Sequence, residues 1–270
     1  MSMPLRLAIL LAACVLTVPS ASAGAQPAAG QAQMDPRIQK LLTEISPERL
    51  KMILTGLGSF GTRSTLSSTD STTQGIGAAR QWIYDEMKRS SSRLQVSFDT
   101  YQIPRGGRIT RDVELRNVMA VLPGKSSRRL YVSAHYDSFA RTATPAAAPA
   151  AGPPAKQGVQ RQQAQPGAGA AQPADNPAPG VNDDGSGVAL VMELARVFGE
   201  SGLEFDATLV FITVAGEEQG LLGSRNHAQK AAADKVPIDA VLNNDMVGNI
   251  EANGMVDADS VRVFSESPED

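Results

Sequence analysis

The chain has 270 residues, 42% hydrophobic and 20% charged, with a formal net charge of −3 and one cysteine. That length suits one large α/β domain or two small ones, and the composition describes a globular protein that carries a low-complexity segment. Acids and bases are interspersed with no basic block, which excludes the electrostatic footprint of a nucleic-acid binder.

The first residues set the compartment. Met1 to Arg6 carries a positive charge, and Leu7 to Val18 is apolar but too short to cross a bilayer. Ala21-Ser22-Ala23 supplies the small-x-small pattern of a cleavage site, so residues 1–23 read as a signal peptide and 24–34 as a polar linker. The expected location is the periplasm or the exterior of the cell. Leu11-Ala12-Ala13-Cys14 also resembles a lipobox, and a lipidated Cys14 would instead anchor the chain to a membrane. Cleavage before Gly24 leaves no cysteine, so no disulfide forms even where one is permitted.

From Asp35 to Leu57, apolar residues recur at helical spacing (Ile38, Leu41, Leu42, Ile45, then Leu50, Ile53, Leu54, Leu57), interrupted at Ser46-Pro47, which predicts two short helices. Gly75 to Lys88 is a third, with Ala78, Ala79, Trp82, Ile83 and Met87 along one side as core. The period then changes. Val96 to Ile103, Asn117 to Leu122, Leu130 to Ala134, Ala207 to Val214 and Ala240 to Asn243 read as strands, with helical stretches over Gly187 to Phe198 and Leu221 to Ala233. Near-continuous apolar strands between helices argue for a three-layer α/β/α domain around a mostly parallel mixed sheet. The Ala/Pro/Gln/Gly tract from Thr142 to Pro179 cannot bury enough apolar surface to offset its ordering. It is expected to be a disordered insertion within a single domain spanning 35–270.

Four segments carry chemistry. In the first, a strand runs into His135-Tyr136-Asp137, and period two places His135 and Asp137 on one side. A metal-binding histidine commonly gives its second ring N–H to a carboxylate, the position Asp137 fits. The second is the polar turn Asn182-Asp183-Asp184-Gly185-Ser186-Gly187 before an apolar helix. It suits both a capped helix start and a carboxylate shared by two metals. In the third, Glu217-Glu218 follows an apolar strand. Adjacent carboxylates repel unless a cation lies beside them, so Glu218 on a metal leaves Glu217 as a general base. The fourth is Asp245, just beyond another apolar strand. His135, the glutamate pair and Asp245 each fall at the carboxyl end of a predicted parallel strand, where ligands of open α/β sheets gather. Oxygen-rich coordination with one imidazole suits zinc, with manganese or cobalt as substitutes.

These segments, above all Glu217-Glu218-Gln219-Gly220-Leu221-Leu222-Gly223-Ser224 and Asn182-Asp183-Asp184-Gly185-Ser186-Gly187, resemble those of the co-catalytic di-zinc aminopeptidase family in order and spacing. That family includes secreted bacterial leucyl aminopeptidases and, more distantly, glutamate carboxypeptidase and glutaminyl cyclase. The resemblance runs from about Ile38 to the C-terminus, apart from the insertion. It implies His135 and Asp245 on one zinc, Glu218 on the other, Asp183 bridging both, Glu217 as catalytic base, Asp137 behind His135, and a cis peptide at Asp183-Asp184. The implied reaction is hydrolysis of the N-terminal bond of a peptide or protein substrate. The family also closes its second zinc site with a histidine well downstream of the position matching Asp245. Here 25 residues follow Asp245, and the only other histidine, His227, lies in a stretch that reads as packing. The expectation is therefore a C-terminally truncated member with one ligand missing. A cyclotransferase or an inactive binding module are the alternative readings. A serine hydrolase is excluded, because Ser186 lacks the Gly-x-Ser-x-Gly elbow.

Overall fold

A computed structural model of the chain describes residues 34–139, 177–252, 255–256 and 263–264. The expected signal peptide, almost all of the expected linker, and residues 142–176 of the expected insertion lie outside them.

Two short helices open the fold, α1 (Pro36–Thr43) and α2 (Pro47–Ser59). Each starts on a capping side chain followed by proline. Asp35 accepts from the Arg37 N–H at 2.8 Å and Ser46 Oγ from the Arg49 N–H at 3.2 Å. Proline at the first helical position loses nothing, since an N–H there has no partner in the helix. Helix α3 (Gly75–Ser90) precedes a hairpin of β1 (Gln95–Ile103) and β2 (Val113–Leu122), and then come β3 (Arg129–His135), α4 (Gly185–Glu200), β4 (Thr208–Val214), α5 (Leu222–Ala233) and β5 (Ile238–Asn243).

The strands form one sheet in the order β1-β2-β4-β3-β5. β3 is parallel to β4 and β5, whereas β2 is antiparallel to both β1 and β4. The sheet is thus mixed in equal parts, where the sequence pattern suggested mostly parallel. The nine residues 104–112 are too few for a crossover, which takes about a dozen or more, so β2 must turn back on β1.

Helices α2, α3 and α4 cover one face. Ile53, Leu57, Ile83, Met87, Val188 and Val191 are buried there with Val118, Leu122 and Phe211 of the sheet. The opposite face carries Tyr131, Val210, Ile212 and Val214, with α5 packed towards β1 and β2. β5, read as an apolar strand, forms an edge of the sheet, and all six of its residues are exposed, Val241 at 56% and Leu242 at 61%.

The parallel register aligns the carboxyl ends of the three neighbouring strands, His135 beside Val214 and Ser133 beside Asn243. The loops after β3, β4 and β5 therefore leave from one edge, and the N-terminus of α4 arrives at the same edge.

Candidate metal centre

His135, Asp183 and Asp245 come together at that edge, each offering one ligand atom within 4.8 Å of the others. His135 Nε2 lies 3.3 Å from Asp183 Oδ1, 3.9 Å from Asp245 Oδ1 and 3.9 Å from Glu217 Oε2. His135 is buried at 4% exposure, while Asp183 and Glu217 are half-buried and Asp245 is exposed. The imidazole is oriented from behind. Its Nδ1 meets the backbone carbonyl of Asp137 at 3.1 Å, closer than that residue's carboxylate at 3.7 Å. A ring proton held on Nδ1 leaves the Nε2 lone pair facing the acids, the tautomer a metal requires.

The Asp137 carboxylate lies behind His135, 3.7 Å from Nδ1, as its spacing suggested, and it has a second task. Fully buried, it accepts the backbone N–H groups of Glu217 at 3.1 Å and Glu218 at 3.2 Å, and the Thr65 hydroxyl at 3.4 Å. It therefore fixes the turn that presents both glutamates. That turn begins at Gly216, whose φ of 71° lies where side chains are disfavoured.

Asp184, read from sequence only as part of the turn and cap, joins three segments. It has no exposed surface, and it accepts the N–H of His135 at 3.0 Å, of Gly187 at 3.0 Å and of Met246 at 3.1 Å. It thus caps α4 while binding the end of β3 to the loop that carries Asp245. Gly187 is required beside it, because a Cβ there would meet both Asp184 carboxylate oxygens and the Asn244 carbonyl. The Asp183-Asp184 peptide is cis.

Arg63 gave no signal in the sequence. It is fully buried, and its guanidinium donates to the carbonyls of Tyr136 at 2.7 Å, Gly180 at 2.9 Å, Leu57 at 3.1 Å and also Pro179. The loops bearing His135 and Asp183 are so tied to α2. The end of the presumed insertion is fixed in the same way: Ala178 is buried, bridges to Thr62, and accepts the Ser138 hydroxyl at 2.6 Å. His227 lies outside the cluster, between Asp99 at 2.9 Å and the Tyr131 hydroxyl at 3.1 Å, as expected of a packing residue.

The electrostatics are those of a site that wants a cation. Burial pushes Glu218 up to about 7, reinforced by the charges of Asp183, Asp137 and Glu217. Burial also raises Glu217 and Asp245 and takes Asp184 up to about 7, against the opposing charge of His135. Burial disfavours the charged form of His135, but bonds to Asp137 and Asp183 outweigh it and drive the ring up to about 12. A proton on His135 is thus the stand-in for a positive charge that these carboxylates all face.

A sequence profile of Peptidase family M28 matches residues 117–265, more than half of the chain. The chain belongs to Peptidase family M28. Among its relatives, a "Probable zinc metalloprotease" of Pyricularia oryzae is 39% identical over 239 residues, covering 86% of this chain and 42% of that protein. Another from Leptosphaeria maculans is 35% identical, over 86% of this chain and 48% of its own length. The M28 chain therefore spans less than half the length of these relatives. Its fold is similar to that of the Legionella pneumophila LapA aminopeptidase (TM-score 0.54, 22% identity, 79% of this chain and 46% of that one). It is similar as well to that of Porphyromonas gingivalis glutaminyl cyclase (TM-score 0.54, 19% identity, 75% and 62%). Zinc, implied by membership in a family of zinc metallopeptidases, fits the donors present: one imidazole whose Nε2 faces the acids and would exchange its proton for the metal, and carboxylates that raise one another's pKa for want of a cation.

Proposed function

We propose that this chain is the catalytic core of an exported metal-dependent exopeptidase that removes N-terminal residues from peptides or proteins. The observation that carries the reading is the convergence of His135, Asp183 and Asp245 within 4.8 Å, with the Glu217 carboxylate 3.9 Å from His135 Nε2. In this reading His135, Asp183 and Asp245 would hold one zinc firmly, and Asp183 and Glu218 would offer only two donors to a second, weakly held ion. Glu218 feels the charge of Asp183 more strongly than that of any other carboxylate, which supports that pairing. Zinc at such a site polarises the scissile carbonyl and makes water a stronger acid.

The remaining steps belong to side chains of this protein. Glu217, raised towards neutrality by burial, takes the proton of the attacking water and returns it to the leaving amine. Asp137 keeps that carboxylate in place through the backbone of its turn, and Asp184 keeps His135 and the Asp245 loop in register. The surplus of carboxylates over one divalent charge favours a substrate presenting a free α-amino group, which is the mark of an aminopeptidase. Hydrolysis of leucine p-nitroanilide against its N-acetylated counterpart tests this. Cleavage confined to the free amine is expected, and equal cleavage of both would show an endopeptidase. Residues 1–33, which carry the export signal and Cys14, lie outside the described residues. Among the described residues no helix is long and apolar enough to cross a membrane, so a membrane enters this reading only through lipidation of Cys14.

A further inference from the structure

Among the described residues two arginines are buried, and they differ sharply in how their charge is met. Arg63 is surrounded by four carbonyl acceptors. Arg80, on α3, is 8% exposed, yet among the described residues its side chain bonds only the Glu114 carbonyl, at 3.4 Å. No carboxylate lies within ion-pair distance of it among the described residues. A guanidinium has five N–H donors to satisfy, and a buried charge without a partner is costly to keep. Burial accordingly draws the Arg80 pKa down.

Arg80 lines a cavity of about 400 Å³, within the range of small-molecule sites. None of His135, Asp183, Glu217, Glu218 or Asp245 lines it. Arg116 brings a second guanidinium to its wall, already paired with Glu114 at 2.6 Å and lying over the Phe98 ring. Arg116 is balanced by Glu114, and Asp70 and Asp85 also line the cavity, accepting from the neutral donors Thr69 at 3.3 Å and Gln81 at 3.1 Å, so the preference for an anion rests on Arg80, which no carboxylate among the described residues pairs with. The apolar part of the lining includes Phe60 and Trp82, an edge-to-face pair 6.0 Å apart.

We propose that this cavity is a binding site for a small carboxylate with an apolar body, separate from the metal cluster. The carboxylate meets Arg80 and Arg116, and the body lies against Phe60 and Trp82. A free amino acid with a blocked amine, or the C-terminal residue of a peptide, has this chemistry.

Trp82 is the only tryptophan, so its fluorescence reports directly on the cavity. Titration with N-acetylphenylalanine should give a saturable change, with the neutral N-acetylphenylalaninamide about tenfold weaker or more, as expected for charge-assisted bonds. Inorganic phosphate, which lacks an apolar body, should also bind about tenfold weaker, and equal binding would overturn the assigned ligand class. Arg80→Gln should reduce the carboxylate to the level of the amide. The response should persist with EDTA and in Asp183→Ala, so a loss there would relocate binding to the metal cluster and refute the proposal. If Arg80→Gln unfolds, Arg116→Gln is the second variant, expected to weaken the carboxylate and spare the amide. Equal affinity for carboxylate and amide in the unsubstituted chain overturns the proposal without any variant.

Discussion

Replacing Asp184 with alanine should collapse the metal centre although Asp184 is not assigned as a ligand. Its carboxylate accepts three backbone N–H groups, from His135, Gly187 and Met246, all at 3.0–3.1 Å, with no solvent to replace it. A bond to a charged acceptor contributes about 1.5 kcal/mol or more, and a buried donor left unmet costs a similar amount. One of the three donors, at the start of α4, regains water most easily, so a loss of roughly 3–5 kcal/mol is expected for Asp184→Ala. For a chain of this size that corresponds to a fall in Tm of roughly 10 °C. Asp184→Asn keeps an acceptor for Gly187 and Met246 but turns an amide N–H towards the His135 N–H, and should lose about 2 kcal/mol. Thermal melting by circular dichroism, paired with zinc content after dialysis, measures both effects. Stability and zinc should fall together, in the order Asp, Asn, Ala. An Asp184→Ala protein that melts within about 1–2 °C of the parent would show that these three bonds do not hold the site together.

Glu217→Gln should abolish hydrolysis while zinc content stays near that of the parent, because Glu217 is assigned as proton carrier and not as ligand, whereas Asp183→Ala should remove both; substantial turnover by the glutamine variant would cancel the assignment. The metal-free chain should become less stable as pH rises. Asp184 and Glu218 stand at about 7 when folded, and His135 at about 12, all above their unfolded values, so the folded state binds the extra protons. This stabilisation is complete below about pH 4 for the carboxylates and disappears as pH climbs through 7. Urea midpoints in EDTA at pH 5.5 and 8 should therefore fall with pH, and added zinc should offset the fall. Shortening residues 142–175 to a few Gly/Ser residues should leave Tm nearly unchanged, since loop closure changes little with length. The same deletion extended through Ala178 and Pro179 should lower it, because those residues are held by Ser138 and Arg63.

The elements were legible wherever one periodicity prevailed. The capped prolines at Pro36 and Pro47 and the apolar runs of β3 and β4 place those elements within one or two residues of their bounds. Strand direction was less so. The antiparallel entry of β2 follows from the length of one connection, and the exposure of β5 from its place at the edge, neither of which shows in composition. At the metal centre, His135, Glu217, Glu218 and Asp245 were visible because each stands at or just beyond the end of an apolar run, and Asp183 because its polar turn opens an apolar helix. Those that organise them were not. Arg63 reads as a surface charge in a Ser/Thr-rich loop, since its acceptors are carbonyls supplied by the nearby α2 and by two distant segments. Asp137 was noticed for its spacing from His135, and the spacing did not show that its carboxylate also serves a turn 80 residues away.

The most direct test is zinc stoichiometry by elemental analysis after dialysis of the unmodified chain and of its His135→Ala, Asp183→Ala and Asp245→Ala variants. Three protein donors are enough for a firmly held zinc and two are not. About one zinc per chain is therefore expected, falling to little or none in each variant. Zinc content unchanged by all three substitutions would contradict the assignment of this cluster as the metal centre.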